Sequence, residues 1–350
     1  MTENNLKDIS SMDLAGLTEF ILSLGEKKFR ARQIYDWINK KNAVSFAEMT
    51  DLSKALREKL AGEAFLAAPE AVSTQVSKID GTMKALYRMR DGSYVESVLM
   101  KYKHGNSVCI STQVGCRMGC AFCASTIGGL TRNLTAGEML GQIYGIERMT
   151  GERVSNVVCM GTGEPLDNYD NVVRFIRMLT DQDGHNISER NVTLSTCGIV
   201  PGILRLKEED LMINLALSLH APDDALRKQI MPIAKRYSLD EIFDALREYY
   251  SRNRRRLTFE YSLIAGVNDS DECVTKLVQR VRGMNCLINL IPVNPVRENN
   301  FVAPSGEASL AFQKKLEKYG INVTIRREMG RDIDGACGQL RKRYMETDNI

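Results

Sequence analysis

The sequence has no apolar run approaching the length of a membrane span, and its first residues, Met1 to Lys7, are polar and lack the hydrophobic core of a secretion signal. These absences predict a cytosolic (cytoplasmic) protein. Net charge is also scarce. The 47 basic and 44 acidic residues leave +3 over 350 residues, so affinity for a polyanion has to come from local clusters rather than overall charge. Nine cysteines, an odd number in a chain this long, do not fit a disulfide framework. Also missing is the second C-x2-C or histidine pair that would close a zinc finger. The nearest histidine upstream of the densest cysteine group is His104, and the next cysteine downstream is Cys159.

That cysteine group is the most informative feature present. Cys116, Cys120 and Cys123 form a C-x3-C-x2-C run. Structural zinc is closed by four ligands, and only three stand together here. Three thiolates so placed can hold three irons of a [4Fe–4S] cluster and leave the fourth iron open to a small molecule. An open iron predicts an enzyme. Phe122, between the last two cysteines, reads either as core packing or as an aromatic lying beside a bound nucleoside.

At 43% hydrophobic, the chain can bury a large core, enough for a catalytic domain with a smaller module attached. Leu14, Leu17, Ile21 and Leu24 keep helical spacing between Asp13, a cap, and Gly25, a stop; two more helices follow near 31–41 and 51–61. Between about 70 and 112, short alternating segments are broken by Asp80-Gly81, Asp91-Gly92 and His104-Gly105-Asn106, the turn signals of a β-meander. Strand and helix patterns then alternate, with strands near 107–113, 154–160, 191–196, 212–219, 257–264 and 286–292. Thr135 with Glu138 and Ser238 with Glu241 read as capping boxes, and Asp170 as the cap of a third helix. A helix over 306–319 and a strand over 321–327 complete the pattern. Six βα units are too few to close an eight-stranded barrel, so the expected fold is α/β, an open partial (β/α)6 barrel. The divisions are 1–68 (helical module), 69–106 (β-meander) and 107–350 (catalytic domain).

In such folds ligands lie at the carboxyl ends of the strands. There the sequence places Gly161-Thr162-Gly163-Glu164-Pro165, Ser195-Thr196-Cys197-Gly198, Ser218-Leu219-His220 and Pro292-Val293-Asn294-Pro295. Four polar segments recurring at one end of one sheet point to a shared site. Basic clusters occur at Lys27, Lys28, Arg30 and Arg32; at Arg252, Arg254, Arg255 and Arg256; at Arg326, Arg327 and Arg331; and at Arg341, Lys342 and Arg343. Together they allow phosphate binding without saying which nucleic acid.

The run Gly115-Cys116-Arg117-Met118-Gly119-Cys120-Ala121-Phe122-Cys123 resembles the signature of the radical S-adenosylmethionine (radical SAM) enzymes. With Ala124-Ser125-Thr126-Ile127-Gly128-Gly129 it resembles one branch closely, the RlmN-type ribosomal RNA adenine methyltransferases, and the similarity extends from the first helices to Arg343. The resemblance implies a radical SAM barrel, a [4Fe–4S] cluster on Cys116, Cys120 and Cys123, and S-adenosylmethionine contacted by Gly163, Glu164, Ser195, Ser218, Leu219, His220 and Asn294. It implies an S-methylcysteine on Cys337, in Asp334-Gly335-Ala336-Cys337-Gly338-Gln339-Leu340, a resolving thiol at Cys109 that forms a transient disulfide with it, and a proton acceptor at Glu96. A carbon radical is needed because adenine C2, set between two ring nitrogens, is too electron-poor for polar methylation. The implied substrates are an adenosine of 23S rRNA in the peptidyl-transferase region and the adenosine 3′ to the tRNA anticodon, with the amino-terminal module as the RNA-binding accessory domain. A cellular electron donor and a disulfide reductant are the further implied partners, and a monomer is the expected state. A Cfr-type enzyme, which methylates C8, shares the same cysteines; Arg117-Met118 and the 124–129 tail favour the C2 branch.

Protein purified without oxygen is expected to be brown and to contain iron and sulfide. Colourless protein with stoichiometric zinc would instead identify a non-catalytic RNA-binding protein whose cysteines are structural.

Overall fold

The computed structural model describes residues 6–294, 300–333, 340 and 344. Apolar residues at helical spacing build the amino-terminal module. Helix α1 (Leu14–Ser23) buries Leu17 and Ile21, α2 (Phe29–Asn39) buries Ile34, Tyr35 and Ile38, and α3 (Lys54–Glu63) buries Leu56 and Leu60. These side chains share a core with Ile9 and Met49. Asp13 accepts from the Gly16 N–H as the cap of α1, and Gly25 takes a left-handed φ of 76° at its end. A short parallel pairing of β1 (Lys7–Asp8) with β2 (Ala64–Phe65) joins the ends of the module.

The sheet begins with the antiparallel strands β3 (Glu70–Val76), β4 (Met83–Arg88) and β5 (Tyr94–Tyr102), and β6 (Gly105–Cys109) pairs with β5. The chain then leaves the sheet to form a hairpin, β7 (Gln113–Gly115) with β8 (Leu130–Asn133), and the loop between these strands carries the three clustered cysteines. After α4 (Ala136–Thr150), strand β9 (Asn156–Cys159) returns parallel to β6. The remaining units are α5 (Tyr169–Thr180), β10 (Val192–Thr196), α6 (Val200–Lys207), β11 (Asn214–Ser218), α7 (Asp224–Ile230), α8 (Leu239–Asn253), β12 (Leu257–Leu263), α9 (Asp271–Val281), β13 (Cys286–Pro292), α10 (Gly306–Glu317) and β14 (Asn322–Ile325). Among the described residues the sheet has ten strands in the order β14-β13-β12-β11-β10-β9-β6-β5-β4-β3. From β6 to β14 every strand adds parallel at the same edge. Right-handed crossovers then put the helices on one side, and the sheet curls into an open partial barrel.

Strand periodicity decides which residues face the barrel interior. Val95, Leu99 and Val108 point into the main core with Leu140, Ile143 and Val157. Their neighbours Glu96, Val98 and Cys109 therefore take the opposite face. The meander expected over 69–106 is thus an antiparallel flank of the catalytic sheet.

The strand expected over 107–113 stops at Cys109 because a side chain takes over its ladder. Gln142 of α4 accepts from the Ser111 N–H and donates to the Ser111 carbonyl, both at 2.9 Å. Both capping boxes form as read from the sequence. Asp170 does not cap a helix: the N-cap of α5 is Asn168, two residues earlier, and Asp170 sits exposed in the first turn paired with Arg205.

The helical module is fastened to the outer helix layer by polar contacts. Tyr35 donates to Asp181 at 2.8 Å, Tyr144 donates to Asn39 at 2.9 Å, and Arg32 pairs with Asp183 at 2.8 Å. Arg132 of β8 bridges Asp91, in the β4–β5 turn, and Glu138, at the start of α4. Hydrogen bonding from Arg132 holds the Asp91 carboxyl below its ordinary value of 3.8. A carboxyl with a depressed folded-state value contributes stability above its unfolded value and loses it as pH falls below that value. We expect Asp91→Asn to lower stability by about 1 kcal/mol at most near pH 7, since the pair is partly exposed. The difference from wild type should shrink below about pH 4, as measured by denaturant unfolding at both pH values.

Candidate active site at the carboxyl ends of the strands

One cavity of about 260 Å³ opens where β9 to β13 end, and Cys116, Cys120 and Cys123 line it with Gly163, Glu164, Ser195, Ser218, His220 and Asn294. Of the residues expected to contact the nucleoside cofactor, only Leu219 is absent from this lining. Its side chain is fully buried in the main core, and its backbone is bonded to the protein, with N–H to Glu260 and C=O to Arg227.

The cysteine loop is held in place by close backbone packing. Gly115 has φ 78°, and a Cβ there would come within 2.0 Å of the Gly129 carbonyl oxygen. At the other wall, a Cβ on Gly163 (φ 111°) would fall 2.7 Å from the Gln113 Cβ. Gln113, fully buried, accepts from the Glu164 N–H at 2.8 Å and donates to Asp167 at 2.9 Å. Arg117 in the cysteine loop pairs with the same Asp167. Phe122 packs edge-on against His220 with ring centroids 4.8 Å apart, which ties the loop to the end of β11.

The electrostatics of the pocket disfavour negative charge. Burial pushes the Cys116 thiol up to about 12, with the neighbouring Cys123 and Glu164 acting in the same direction. Cys120 is pushed up further by burial and by Cys123 and Cys116. Three thiolates here therefore call for a strongly cationic partner. The sulfurs are arranged around the cavity: among the described residues no three His, Cys, Asp or Glu side chains meet where one ion could sit. The shared space suits a body of several metal and sulfide atoms, so the donor set fits an iron–sulfur cluster.

Glu164, His220 and the two serines of the wall have protein partners. Glu164 is raised by burial, and its carboxylate accepts from the Cys197 N–H at 2.7 Å and the Leu166 N–H at 3.1 Å. His220 is lowered to about 3 by burial and by nearby Arg227, and its Nδ1 accepts from the Ser262 N–H at 2.9 Å. The imidazole is thus neutral with its proton on Nε2. Ser195 and Ser218 hydroxyls are 3.3 Å apart.

Several wall residues escaped the sequence reading. Glu260 on β12 lines the cavity, accepts from Asn289 at 2.8 Å and is raised by burial. A lone acidic residue inside the apolar run Leu257–Leu263 was its visible signal. Arg326, read from the sequence only as part of a basic cluster, lies just past β14 and also lines the cavity. Arg254, Arg255 and Arg256 cluster instead with Thr193, Asn214 and Thr258 at the amino ends of the strands, away from the cysteines.

Glu96 and Cys109 do not line the cavity, but both lie on the same sheet face. Cys109 sits opposite Val98 and packs with Met100 and the cavity residue Met160. Glu96, 4% exposed, forms an ion pair at 3.1 Å with Lys84, which is fully buried. Cys337 lies outside the described residues, as do Arg341, Lys342 and Arg343. The chain on both sides of Cys337 is anchored to the antiparallel flank. Asp332 accepts from Ser77 and from the Lys78 N–H, and Leu340 packs with Leu86 and Tyr94, whose ring also meets Tyr344.

Comparison with known proteins agrees with this arrangement. Residues 5–66 match the family described as the ribosomal RNA large subunit methyltransferase N-terminal domain, and residues 110–278 match the radical SAM superfamily. A probable dual-specificity RNA methyltransferase RlmN of Lachnospira eligens is 60% identical over 341 residues, 97% of each chain. The protein of the same name from Clostridium novyi is 50% identical over 98% of this chain and 100% of its own. The crystal structure of a radical SAM methyltransferase from Sphaerobacter thermophilus superposes with a TM-score of 0.91 at 43% identity, covering 95% of this chain and 98% of that one.

Replacing Lys84 by an apolar residue would take away the buried ammonium that pairs with the Glu96 carboxylate at 3.1 Å. Lys84→Met is expected to cost about 3–5 kcal/mol, and the double variant Lys84→Met/Glu96→Leu to recover most of it, as read from denaturant midpoints.

Proposed function

The chain belongs to the RlmN family of dual-specificity radical SAM RNA methyltransferases, and on that premise we propose that it methylates C2 of an adenosine in 23S rRNA and of the adenosine 3′ to the tRNA anticodon. As a radical SAM transferase it uses a [4Fe–4S] cluster and S-adenosylmethionine. When bound, these supply a methyl group and, after one-electron reduction, a hydrogen-abstracting radical.

Cys116, Cys120 and Cys123 hold the cluster, and Gly163, Glu164, Ser195, Ser218, His220 and Asn294 form the S-adenosylmethionine wall. The observation that carries this reading is that these residues, drawn from five separate segments, line one cavity. Leu219 would serve through its position in the backbone, since its side chain is in the core. Cys337 accepts a methyl group on its thiolate and, after loss of one hydrogen, bonds through that carbon to adenine C2. Glu96 removes the C2 proton as the adduct gives up the one electron that the reduction supplied. Cys109 attacks the Cys337 sulfur as a thiolate, breaking its bond to the methylene carbon, which takes up a proton to become the methyl group, and leaving a Cys109–Cys337 disulfide that a cellular dithiol reduces. Support for these last roles is that Cys109 and Glu96 share a sheet face, and that the chain flanking Cys337 is docked on the same antiparallel strands. The target base has to leave its stack to enter such a cavity. Residues 1–68 serve as the RNA-binding accessory domain, residues 69–106 as the flank bearing Glu96, and residues 107–350 as the catalytic domain.

The test combines product and intermediate. RNA incubated with the reduced enzyme and S-adenosylmethionine is digested, and the methylated carbon is located by mass spectrometry and NMR. C2-methyladenosine is expected, whereas C8 product would assign the chain the Cfr-type reaction instead. In the same assay Cys109→Ala should accumulate an RNA–protein adduct through Cys337, and normal turnover without adduct would remove Cys109 from the reaction.

A further inference from the structure

Beside the cysteine cavity lies a charge that none of these roles uses. Arg227 on α7 is the largest fully buried side chain among the described residues. Its Nε donates to the Leu219 carbonyl at 3.1 Å, and Nη2 donates to the carbonyls of Cys197 at 2.6 Å and Ser218 at 3.2 Å. Nη1 has no acceptor among the described residues. Carbonyl groups satisfy donors without cancelling a full charge, and a guanidinium does not shed its proton in proteins. A cation held this way needs an anionic counterpart nearby, because isolated charge is costly in a desolvated interior.

The position of Arg227 identifies that counterpart. The three carbonyls it binds lie where β10 and β11 end, and Cys197 and Ser218 line the cavity themselves. Three residues further along α7, the Ile230 carbonyl accepts from the Ala121 N–H at 2.9 Å, between Cys120 and Cys123. A Cβ on Gly119 would meet Pro232, in the turn after α7, at 3.4 Å. Arg227 thus clamps the strand ends to the same short helix that supports the cysteine loop. Among the described residues, Arg227 has no carboxylate within ion-pair distance, in contrast to Arg117 and Arg132.

We propose that Arg227 is a positioning residue that supplies a fixed positive charge to the cysteine-held cluster and so makes the cluster easier to reduce. This rests on Cys116, Cys120 and Cys123 being the ligands of that cluster. Adding one electron makes the cluster more negative by one unit, and a buried cation on the helix that supports the cysteine loop stabilises that state more than the oxidised one. A purely mechanical clamp would act through the three carbonyl bonds and would be insensitive to whether the replacement carries charge.

The experiment uses full-length protein reconstituted without oxygen, with dithionite as the reductant and EPR as the readout of the cluster's midpoint potential. Iron content and far-UV circular dichroism check each variant. Arg227→Gln, which keeps hydrogen-bonding capacity but not charge, is expected to shift the potential to more negative values. Arg227→Lys, which keeps the charge but not the three-carbonyl fork, is expected to stay near wild type. If Arg227→Gln does not fold, Arg227→Met, with similar volume and no charge, takes its place under the same criterion. A neutral variant titrating at the wild-type potential, or lysine and neutral variants displaced equally, would overturn the proposal. Wild-type protein that assembles no reducible cluster would overturn the ligand assignment, and this proposal with it.

Discussion

The constraint that organises this molecule is the difficulty of placing negative charge on buried side chains around one cavity. The thiols of Cys116 and Cys120 are pushed far up by burial and by neighbouring cysteines, and the carboxyls of Glu164 and Glu260 in the same lining are raised as well. The protein answers with fixed dipoles and cations: backbone N–H groups on Glu164, an amide on Glu260, a neutral histidine, and the guanidinium of Arg227. Such a pocket is poorly suited to free thiolates and well suited to a metal–sulfide centre whose charge can be balanced from several sides.

Meeting that constraint requires rigid convergence of distant segments, and the parallel sheet provides it. Each strand from β9 to β13 delivers one short segment to the same rim, and the crossings are so close that Gly115 and Gly163 have no room for a side chain. Buried polar side chains, notably Gln113, Gln142 and Asn168, take over backbone bonds where the chain leaves the ladder. The antiparallel flank adds a second chemical surface to the same sheet. Its inner face carries the Lys84–Glu96 pair and Cys109, and the carboxyl-terminal segment is anchored to it on either side of Cys337. The two surfaces meet at Met160, which packs with Cys109 and lines the cysteine cavity.

The helical module is bound to this framework by directional polar contacts. Tyr35, Arg32 and Asn39 of α2 are used on the barrel's outer helices. Part of the first basic cluster is therefore committed to holding the domains together. The cluster around Arg255 lies at the amino ends of the strands, with Arg255 donating to Asn214. Among the described residues of the basic clusters, Arg326 reaches the cavity wall.

Local chemistry was legible in the amino-acid order itself. The cysteine spacing, the capping boxes at Thr135 and Ser238, the hairpin turns and the succession of strand and helix patterns depend on residues a few positions apart, and they appear in the fold as read. The cysteines and the polar segments at the strand ends were also identifiable, because a single topological rule sends all of those ends to one place. Contacts between residues far apart in sequence were decided only by the tertiary structure. These are the ion pair that buries Lys84 with Glu96, the side chain of Leu219 turned into the core, the early end of the strand at Cys109 imposed by Gln142, and the placement of Arg227 behind the cysteines. Each depends on which face of a strand or helix meets which neighbour. That choice is made by packing the whole core at once, and no local pattern encodes it.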